Sequence, residues 1–110
     1  MRKTLFSFIC GAAFSLIATS AMAEDGYQLV IKDHVFTPAS LEVPAGQKIK
    51  LKIVNQDPTP EEFESYDLNR EKVIGGNSEG IVFIGPLESG TYKFVGEFNE
   101  KTAKGTIVAK

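Results

Sequence analysis

The feature that most restricts the fold of this chain is an alternation of apolar and charged side chains with a period of two. The clearest example is 48–53, where lysine alternates with isoleucine and leucine. Similar alternation occurs at 27–32 and 92–98, and short apolar runs lie at 81–84 and 106–109. Because successive side chains of a β-strand point to opposite faces, this pattern predicts strands that are buried on one face. We therefore expect an all-β sandwich of about seven short strands.

The predicted core is aromatic. The residues assigned to core packing are Phe36, Tyr92, Phe94 and Phe98.

The secondary structure of 60–72 has two interpretations. A short helical turn is the minor alternative to an extended strand, because the glutamate-rich beginning suits a helix N-terminus. No internal repeat or low-complexity linker interrupts the chain after residue 23, which indicates a single domain.

The N-terminus has the three parts of a secretory signal peptide. Arg2 and Lys3 precede an apolar run at 5–17, and Ala-Met-Ala at 21–23 is the small-x-small pattern of a cleavage site. The alternative is a retained anchor helix, which this cleavage pattern disfavours. We therefore predict removal of 1–23, a mature domain at 24–110 in the bacterial periplasm, and no membrane insertion after cleavage.

The composition of the mature chain excludes several classes of partner. Loss of Arg2 and Lys3 reduces the 12 basic residues to 10, against 14 acidic ones, which gives a formal charge of −4. This balance argues against nucleic acids and anionic membranes as partners, because both attract clustered lysine and arginine. All cysteine and methionine residues lie within 1–23, and the single histidine of the mature chain is His34.

Four stretches of the mature chain, taken in order, resemble the cupredoxin family. Phe-Thr-Pro at 36–38 with Leu-Glu-Val-Pro-Ala-Gly at 41–46 resembles the first hairpin, and Asn55 resembles the asparagine that precedes the first metal ligand. Gly-Thr-Tyr-Lys-Phe at 90–94 is similar to the strand that carries the cysteine ligand, and Gly-Thr-Ile-Val at 105–108 is similar to the last strand. The resemblance implies a cupredoxin-like Greek-key β-sandwich.

A narrower resemblance comes from 60–65, 71–73 and 96–98. These stretches are similar to the EfeO-type, or FtrB-like, cupredoxin modules that accompany bacterial ferrous iron permeases. The resemblance implies a periplasmic protein that binds iron or copper as its metal ion and helps to oxidise iron or deliver it. It also implies an iron permease, or other periplasmic components of iron uptake, as partners.

The positions of the blue-copper ligands hold other residues in this chain. Superimposing the ligand pattern places the first histidine at Glu62, the cysteine at Gly96, the second histidine at Asn99 and the methionine near Ala103. A type 1 blue-copper centre needs a cysteine thiolate, so the mature chain has no ligand set for one. Carboxylates stand in place of the soft ligands, and oxygen-rich sites suit iron, manganese or calcium.

A carboxylate metal site is the functional prediction for this region. In an extended strand, Glu62 and Glu64 share a face with Tyr66 and Leu68. Since the tyrosine and leucine are the better core formers, we expect the two glutamates to point inward near one pole, where buried carboxylates need a partner or a cation. The predicted metal ligands are Glu62 and Glu64, with Glu97 and His34 as additions.

Each predicted ligand also has a plainer interpretation. Glu62 and Glu64 fit a solvated acidic loop anchored by Phe63. Glu97 shares a strand face with a lysine and fits a surface role. A lone histidine at the end of a strand, such as His34, is commonly a surface or hydrogen-bonded residue.

Two functions from different classes follow from these observations. The first is a metal-binding accessory protein of iron uptake, and the second is a metal-free β-sandwich module that docks on a periplasmic or membrane partner. A hydrolase is disfavoured because the mature chain has one histidine and no nucleophile elbow. No catalytic residue is assigned, and a redox role in ferrous iron oxidation is left open.

Overall fold

The computed structural model describes residues 26–110, so the predicted signal peptide at 1–23 and its cleavage site lie outside the described residues. The strands of this part are β1 (Tyr27–Lys32), β2 (Val35–Thr37), β3 (Ser40–Val43), β4 (Ile49–Asn55), β5 (Glu61–Ser65), β6 (Arg70–Ile74), β7 (Ser78–Ile84), β8 (Gly90–Gly96) and β9 (Lys104–Ala109). A 3-10 helix, Glu97–Asn99, lies between β8 and β9. Within 26–110 no helix has the length and apolar character needed to cross a bilayer.

The prediction of an all-β sandwich is confirmed, with nine described strands rather than about seven. The additions include the three-residue β2 and β6, because the segment predicted as one extended strand forms the hairpin of β5 and β6. The helical alternative at 60–72 is wrong, because β5 lies between β6 and β8 and pairs with both. Backbone hydrogen bonds to two neighbouring strands outweigh the local preference of a glutamate-rich segment.

The strands form two sheets, and the chain crosses between them several times. The four-stranded sheet has the order β2-β1-β4-β7, and the five-stranded sheet has the order β3-β9-β8-β5-β6. The pairs β1–β4 and β3–β9 are parallel, so their connections cross from one sheet to the other and back. As a result, loops from both sheets meet at one end of the sandwich.

The alternation in the sequence corresponds to burial in the structure. The apolar members of β1 and β4 that are fully buried are Leu29, Ile31, Ile49, Leu51 and Ile53. Burying an aliphatic side chain of this size stabilises a fold by roughly 1.5–3 kcal/mol relative to leaving it exposed. Lys50, between two of these residues, is exposed. The hydrophobic pattern therefore decides which face of each sheet packs inward.

Three aromatic rings occupy the centre of the core, those of Phe36, Phe63 and Phe94. The Phe36 and Phe94 rings meet edge-on, with centroids 4.9 Å apart and planes at 88°. Tyr92 is half-buried against this core. The assignment of Phe98 to the core is wrong, because this residue is 53% exposed. The alternation of β8 stops at Gly96, and the 3-10 turn that follows directs Phe98 outward.

Candidate functional site

Three loops meet at one end of the sandwich, which we call the loop pole (residues 33–34, 55–60 and 97–103). Asp33 and His34 form the two-residue turn between β1 and β2, with positive φ values of 54° and 60°. Positive φ at both positions is the type I′ geometry whose twist matches that of a hairpin. His34 is exposed at the tip of this turn.

Asp57 joins the loop after β4 to the β1–β2 turn. Its carboxylate accepts hydrogen bonds from the main-chain N–H groups of Asp33 at 2.7 Å and His34 at 3.0 Å. Burial by itself raises the pKa of Asp57, but the hydrogen bonds from His34 and Asp33 outweigh it and hold the pKa below its ordinary value. Asp57 therefore remains ionised at neutral pH and fixes the turn that carries His34.

Asn55, the last residue of β4, connects the two sheets at the loop pole. It is 1% exposed, and its side-chain N–H groups donate to the carbonyl oxygens of Thr59 at 2.9 Å, Ile74 at 3.2 Å and Gly75 at 3.2 Å. Its Oδ1 accepts the main-chain N–H of Asp57 at 3.0 Å. The resemblance marked Asn55 as the residue before a metal ligand, and the structure gives it the role of ordering the loop.

The buried carboxylate of β5 belongs to Glu61, which the sequence prediction did not assign. Glu61 is 2% exposed. Its Oε1 accepts the main-chain N–H groups of Phe98 at 2.8 Å and Glu62 at 3.0 Å, and its Oε2 accepts Nδ2 of Asn99 at 2.7 Å. The prediction that Glu62 and Glu64 point inward is therefore wrong.

The direction of β5 is decided by Phe63. Its ring is fully buried, so Glu61 and Ser65 share its inward face. Tyr66, expected in the core, is 84% exposed because β5 ends at Ser65 and the tyrosine begins a turn. Leu68 is buried, but from the turn rather than from the strand. The phenylalanine between two glutamates was the signal in the sequence that could have identified Glu61.

The other superimposed copper positions lie around Glu61. A Cβ atom placed on Gly96 would lie 2.7 Å from Cδ of Glu61 and 2.7 Å from Cβ of Ala103. Asn99 donates its side-chain N–H to Glu61. This set offers one carboxylate, one amide and no thiolate or imidazole, so type 1 copper does not fit.

The predicted carboxylate ligands meet on the outer face of the five-stranded sheet. Glu62 and Glu64 are half-buried there, and Glu97 lies beside them at the end of β8. Glu71 pairs with Glu64 across β5 and β6. We call Glu62, Glu64, Glu71 and Glu97 the acidic cluster. Glu71 was not among the predicted ligands, because only the register of the β5–β6 hairpin places it opposite Glu64.

The carboxyl groups of the acidic cluster perturb one another. A hydrogen bond with Glu97 raises the pKa of Glu64 to about 7, with further contributions from desolvation and from the charges of Glu97, Glu62 and Glu71. The pKa of Glu62 is also raised, first by desolvation and then by a hydrogen bond with Glu97. The cluster therefore retains a proton near neutral pH, and a bound cation has to displace it.

Within the part of the chain that the structure describes, no basic side chain forms an ion pair with the acidic cluster. Among residues 26–110 the ion pairs within 4.0 Å are Lys52–Glu79 and Lys110–Glu42, each at 3.7 Å. The same part of the chain contains no group of three or more histidine, aspartate or glutamate side chains that is arranged to hold a metal ion. Of the predicted ligands, the fold brings Glu62, Glu64 and Glu97 together without forming a finished coordination shell.

His34, the fourth predicted ligand, lies at the loop pole. It lines a surface cavity of about 560 Å³ together with Glu97, Phe98 and Asn99. Glu62 and Glu64 do not line this cavity. Glu97 is therefore the residue that borders both the cavity beside His34 and the acidic cluster.

The raised pKa values predict that the metal-free protein loses stability as the pH rises. The pKa of Glu64 is about 7 in the folded protein against an ordinary value of 4.5, so folding favours the protonated form. This contribution is complete below the ordinary pKa and is lost as the pH rises through the folded pKa. We expect the Tm of residues 24–110 in a chelating buffer to decrease between about pH 5.5 and about pH 8.

The variant Glu64→Gln separates this effect from other titrations. Glutamine cannot ionise, so the decrease in Tm should be smaller in Glu64→Gln than in the parent. Glu88→Gln is the matched control, because Glu88 is exposed and lies outside the acidic cluster. A Tm that stays constant or rises over this pH range in the parent protein would contradict the prediction.

Comparison with known proteins agrees with this architecture. The cupredoxin-like domain family matches residues 5–109. The chain belongs to this family. This cupredoxin-like chain is also 44% identical over 81 residues to the uncharacterized protein RP394 of Rickettsia prowazekii (strain Madrid E). The matched region is 74% of this chain and 65% of that relative, so the chain spans less than two thirds of the relative's length.

Solved cupredoxin structures superimpose on the cupredoxin-like domain at low sequence identity. The purple cupredoxin of Nitrosopumilus maritimus has a TM-score of 0.59 and 19% identity, covering 77% of this chain and 100% of that one. The metal-binding domain of the Cu(I)-exporting ATPase CopA of Streptococcus pneumoniae D39, solved with Cu(I), has a TM-score of 0.63 and 18% identity. The match covers 76% of this chain and 82% of that one. Such likeness establishes the fold, and the metal chemistry of this chain depends on its own residues.

Proposed function

We propose that this chain is a periplasmic metal-binding accessory protein of iron uptake, which holds an iron or copper ion at the acidic cluster. The observation that carries the proposal is the meeting of Glu62, Glu64 and Glu97, which lie close enough for Glu97 to raise the pKa of both other carboxyl groups. The iron-uptake role is supported by the narrower resemblance. The three stretches that carry it contain all four glutamates of the cluster.

The electrostatics of the cluster favour a cation. Carboxylates that lie side by side destabilise one another unless a proton, a basic side chain or a metal ion intervenes. No lysine or arginine within the described chain pairs with them, and Glu64 holds its proton with a pKa of about 7. A divalent cation can therefore replace this proton at neutral pH, so that binding releases protons and weakens in acid.

The donor set restricts the identity of the ion. Carboxylate oxygens suit hard or borderline ions such as iron(II), iron(III) and manganese(II), and an imidazole from His34 would increase the affinity for iron(II) or copper(II). Within residues 26–110 no three such side chains are already arranged to hold an ion, so those of Glu62, Glu64 and Glu97 must rotate to converge on one. The loss of rotamer freedom limits the affinity, which suits a protein that delivers its ion to a permease.

Calorimetric titration of metal-stripped residues 24–110 tests the proposal. Iron(II) under anaerobic conditions, copper(II) and manganese(II) are each titrated at about pH 7.5, and binding of at least one ion at micromolar concentration is expected. Glu64→Gln and Glu97→Gln should each weaken this binding at least tenfold, about 1.4 kcal/mol, because each removes an anionic ligand. His34→Ala should have a smaller effect than either.

Glu88→Gln serves again as the matched control, since it removes one negative charge from an exposed residue that precedes β8, whereas Glu97 follows the other end of that strand. If Glu88→Gln weakens binding as much as Glu64→Gln does, net charge rather than the acidic cluster attracts the ion. The proposal fails if none of the three ions binds at micromolar concentration.

The second candidate function is a metal-free module that docks on an iron permease or another periplasmic partner. It is favoured by Phe98 and Tyr66, which are 53% and 84% exposed beside the acidic cluster. Exposed aromatic residues are enriched in the centres of protein interfaces. A metal-free module predicts no change in Tm on adding the ions, whereas an ion that binds the folded state raises Tm by mass action.

A further inference from the structure

The loop pole contains a buried carboxylate whose hydrogen bonds are complete without any metal. Both oxygens of Glu61 are used, one by the main-chain N–H groups of Phe98 and Glu62 and the other by the side chain of Asn99. Within residues 26–110 no buried side-chain nitrogen or oxygen lacks a hydrogen-bond partner. A carboxylate that is 2% exposed needs such donors, because burying an unpaired charge is strongly destabilising.

Glu61 also fills the space beside the end of β8. A Cβ atom on Gly96 would lie 2.7 Å from its Cδ and 2.9 Å from its Oε2. Cβ atoms do not approach carboxylate atoms so closely, so any side chain at position 96 would have to displace Glu61 or the strand. Glycine at the end of β8 and a buried carboxylate at the start of β5 are therefore complementary in volume.

Asn99 extends the contact into the loop after β8. Its carbonyl oxygen accepts the main-chain N–H of Ala103 at 2.8 Å and of Thr102 at 3.2 Å, and the N–H of Gly96 donates to the carbonyl of Ala103 at 2.8 Å. The loop 97–103 is thus closed on itself by main-chain bonds. Besides the hydrogen bond from the main-chain N–H of Phe98 to Glu61, the loop is joined to β5 by the contact between the side chains of Asn99 and Glu61, with Nδ2 2.7 Å from Oε2.

We propose that Glu61 and Asn99 form a metal-independent bridge, which fixes the loop after β8 to β5 at the place where the copper ligands of the fold were expected. In this chain the bridge replaces metal coordination as the link between these two segments. The loop pole is consequently ordered in the metal-free protein. The bridge uses none of the four side chains of the acidic cluster and is tested in metal-stripped protein, so this proposal stands or falls independently of metal binding there.

Exchanging the donor and the acceptor tests the bridge in metal-stripped protein. Asn99→Asp places two carboxylates within hydrogen-bond distance and should lower the folding equilibrium constant at about pH 7.5 at least tenfold. In the double variant Glu61→Gln with Asn99→Asp, the glutamine amide donates to the aspartate and most of this loss should be regained. The matched control combines Glu88→Gln with Asn99→Asp and should show no recovery. Additive effects of the two bridge substitutions would overturn the proposal.

Hydrogen exchange of the parent protein provides a second measurement, which also decides the matter if Asn99→Asp does not fold. The main-chain N–H of Phe98 donates to Glu61, whereas that of Lys101 lies in an exposed turn. With chelator present, we expect the Phe98 amide to exchange at least tenfold more slowly than the Lys101 amide. Equal exchange rates would show that the bridge does not form without metal.

Discussion

Replacing Phe94 with alanine is expected to lower the free energy of unfolding by about 3 to 5 kcal/mol. Phe94 is 1% exposed, and its ring contacts Phe36 edge-on at 4.9 Å and Phe63 at 5.3 Å between centroids. Gly105 of β9 packs so closely that a Cβ atom there would lie 2.6 Å from Cζ of Phe94. Because elements of both sheets surround the ring, the cavity cannot close without moving strands that are hydrogen-bonded to their neighbours.

Urea denaturation followed by circular dichroism measures this effect. Phe83→Ala is the matched control, because Phe83 is 47% exposed and its ring has a cation–π contact with Lys48 at 4.8 Å. The control should cost about 1 kcal/mol or less. If the two variants lose the same stability, the aromatic cluster is not the centre of the core.

Replacing Asn55 with alanine is expected to lower the free energy of unfolding by about 2 to 4 kcal/mol, because buried polar groups lose their partners. The side chain satisfies the carbonyl oxygens of Thr59, Ile74 and Gly75 and the N–H of Asp57. Alanine makes none of these hydrogen bonds. The change should also loosen the β1–β2 turn, since Asp57 holds that turn through its carboxylate.

The effect of Asn55→Ala is measured by denaturation together with hydrogen exchange of the Asp33 and His34 amides. Both amides donate to Asp57 and should exchange faster in the variant. Gln56→Ala is the control, because this neighbouring residue is exposed at the same loop and should change stability by less than about 0.5 kcal/mol. Protection of both amides at the parent level in Asn55→Ala would contradict the role of Asn55 at the loop pole.

The fold was predictable where burial follows a period of two. In β1 and β4 the buried positions alternate with a period of two and all but Asn55 are apolar, because these strands keep one face on the core. The prediction failed where strands end. Tyr66 and Phe98 each lie just beyond a strand, and their exposure follows from turn geometry that the alternation of side chains does not contain.

The candidate site was predictable in composition and only partly in geometry. Glu62, Glu64 and Glu97 come together as expected, but on the outer face rather than in the interior. Glu71 joins them through the pairing of β5 with β6. Such pairings connect residues that are distant in sequence, so the local pattern of side chains carries little information about them.

By itself, the sequence determined the alternation that specifies a β-sandwich and the absence of a cysteine from residues 24–110. Both depend only on which residues are present and in what order. The sequence offered two possible inward faces for β5, one with Phe63 and one with Tyr66 and Leu68, and only the tertiary structure decided for the Phe63 face, which carries Glu61 into the interior. A shift of one residue exchanges the two faces of a strand. The inward face of β5 was selected because Phe63 fits into the core and the carboxylate of Glu61 fits beside Gly96.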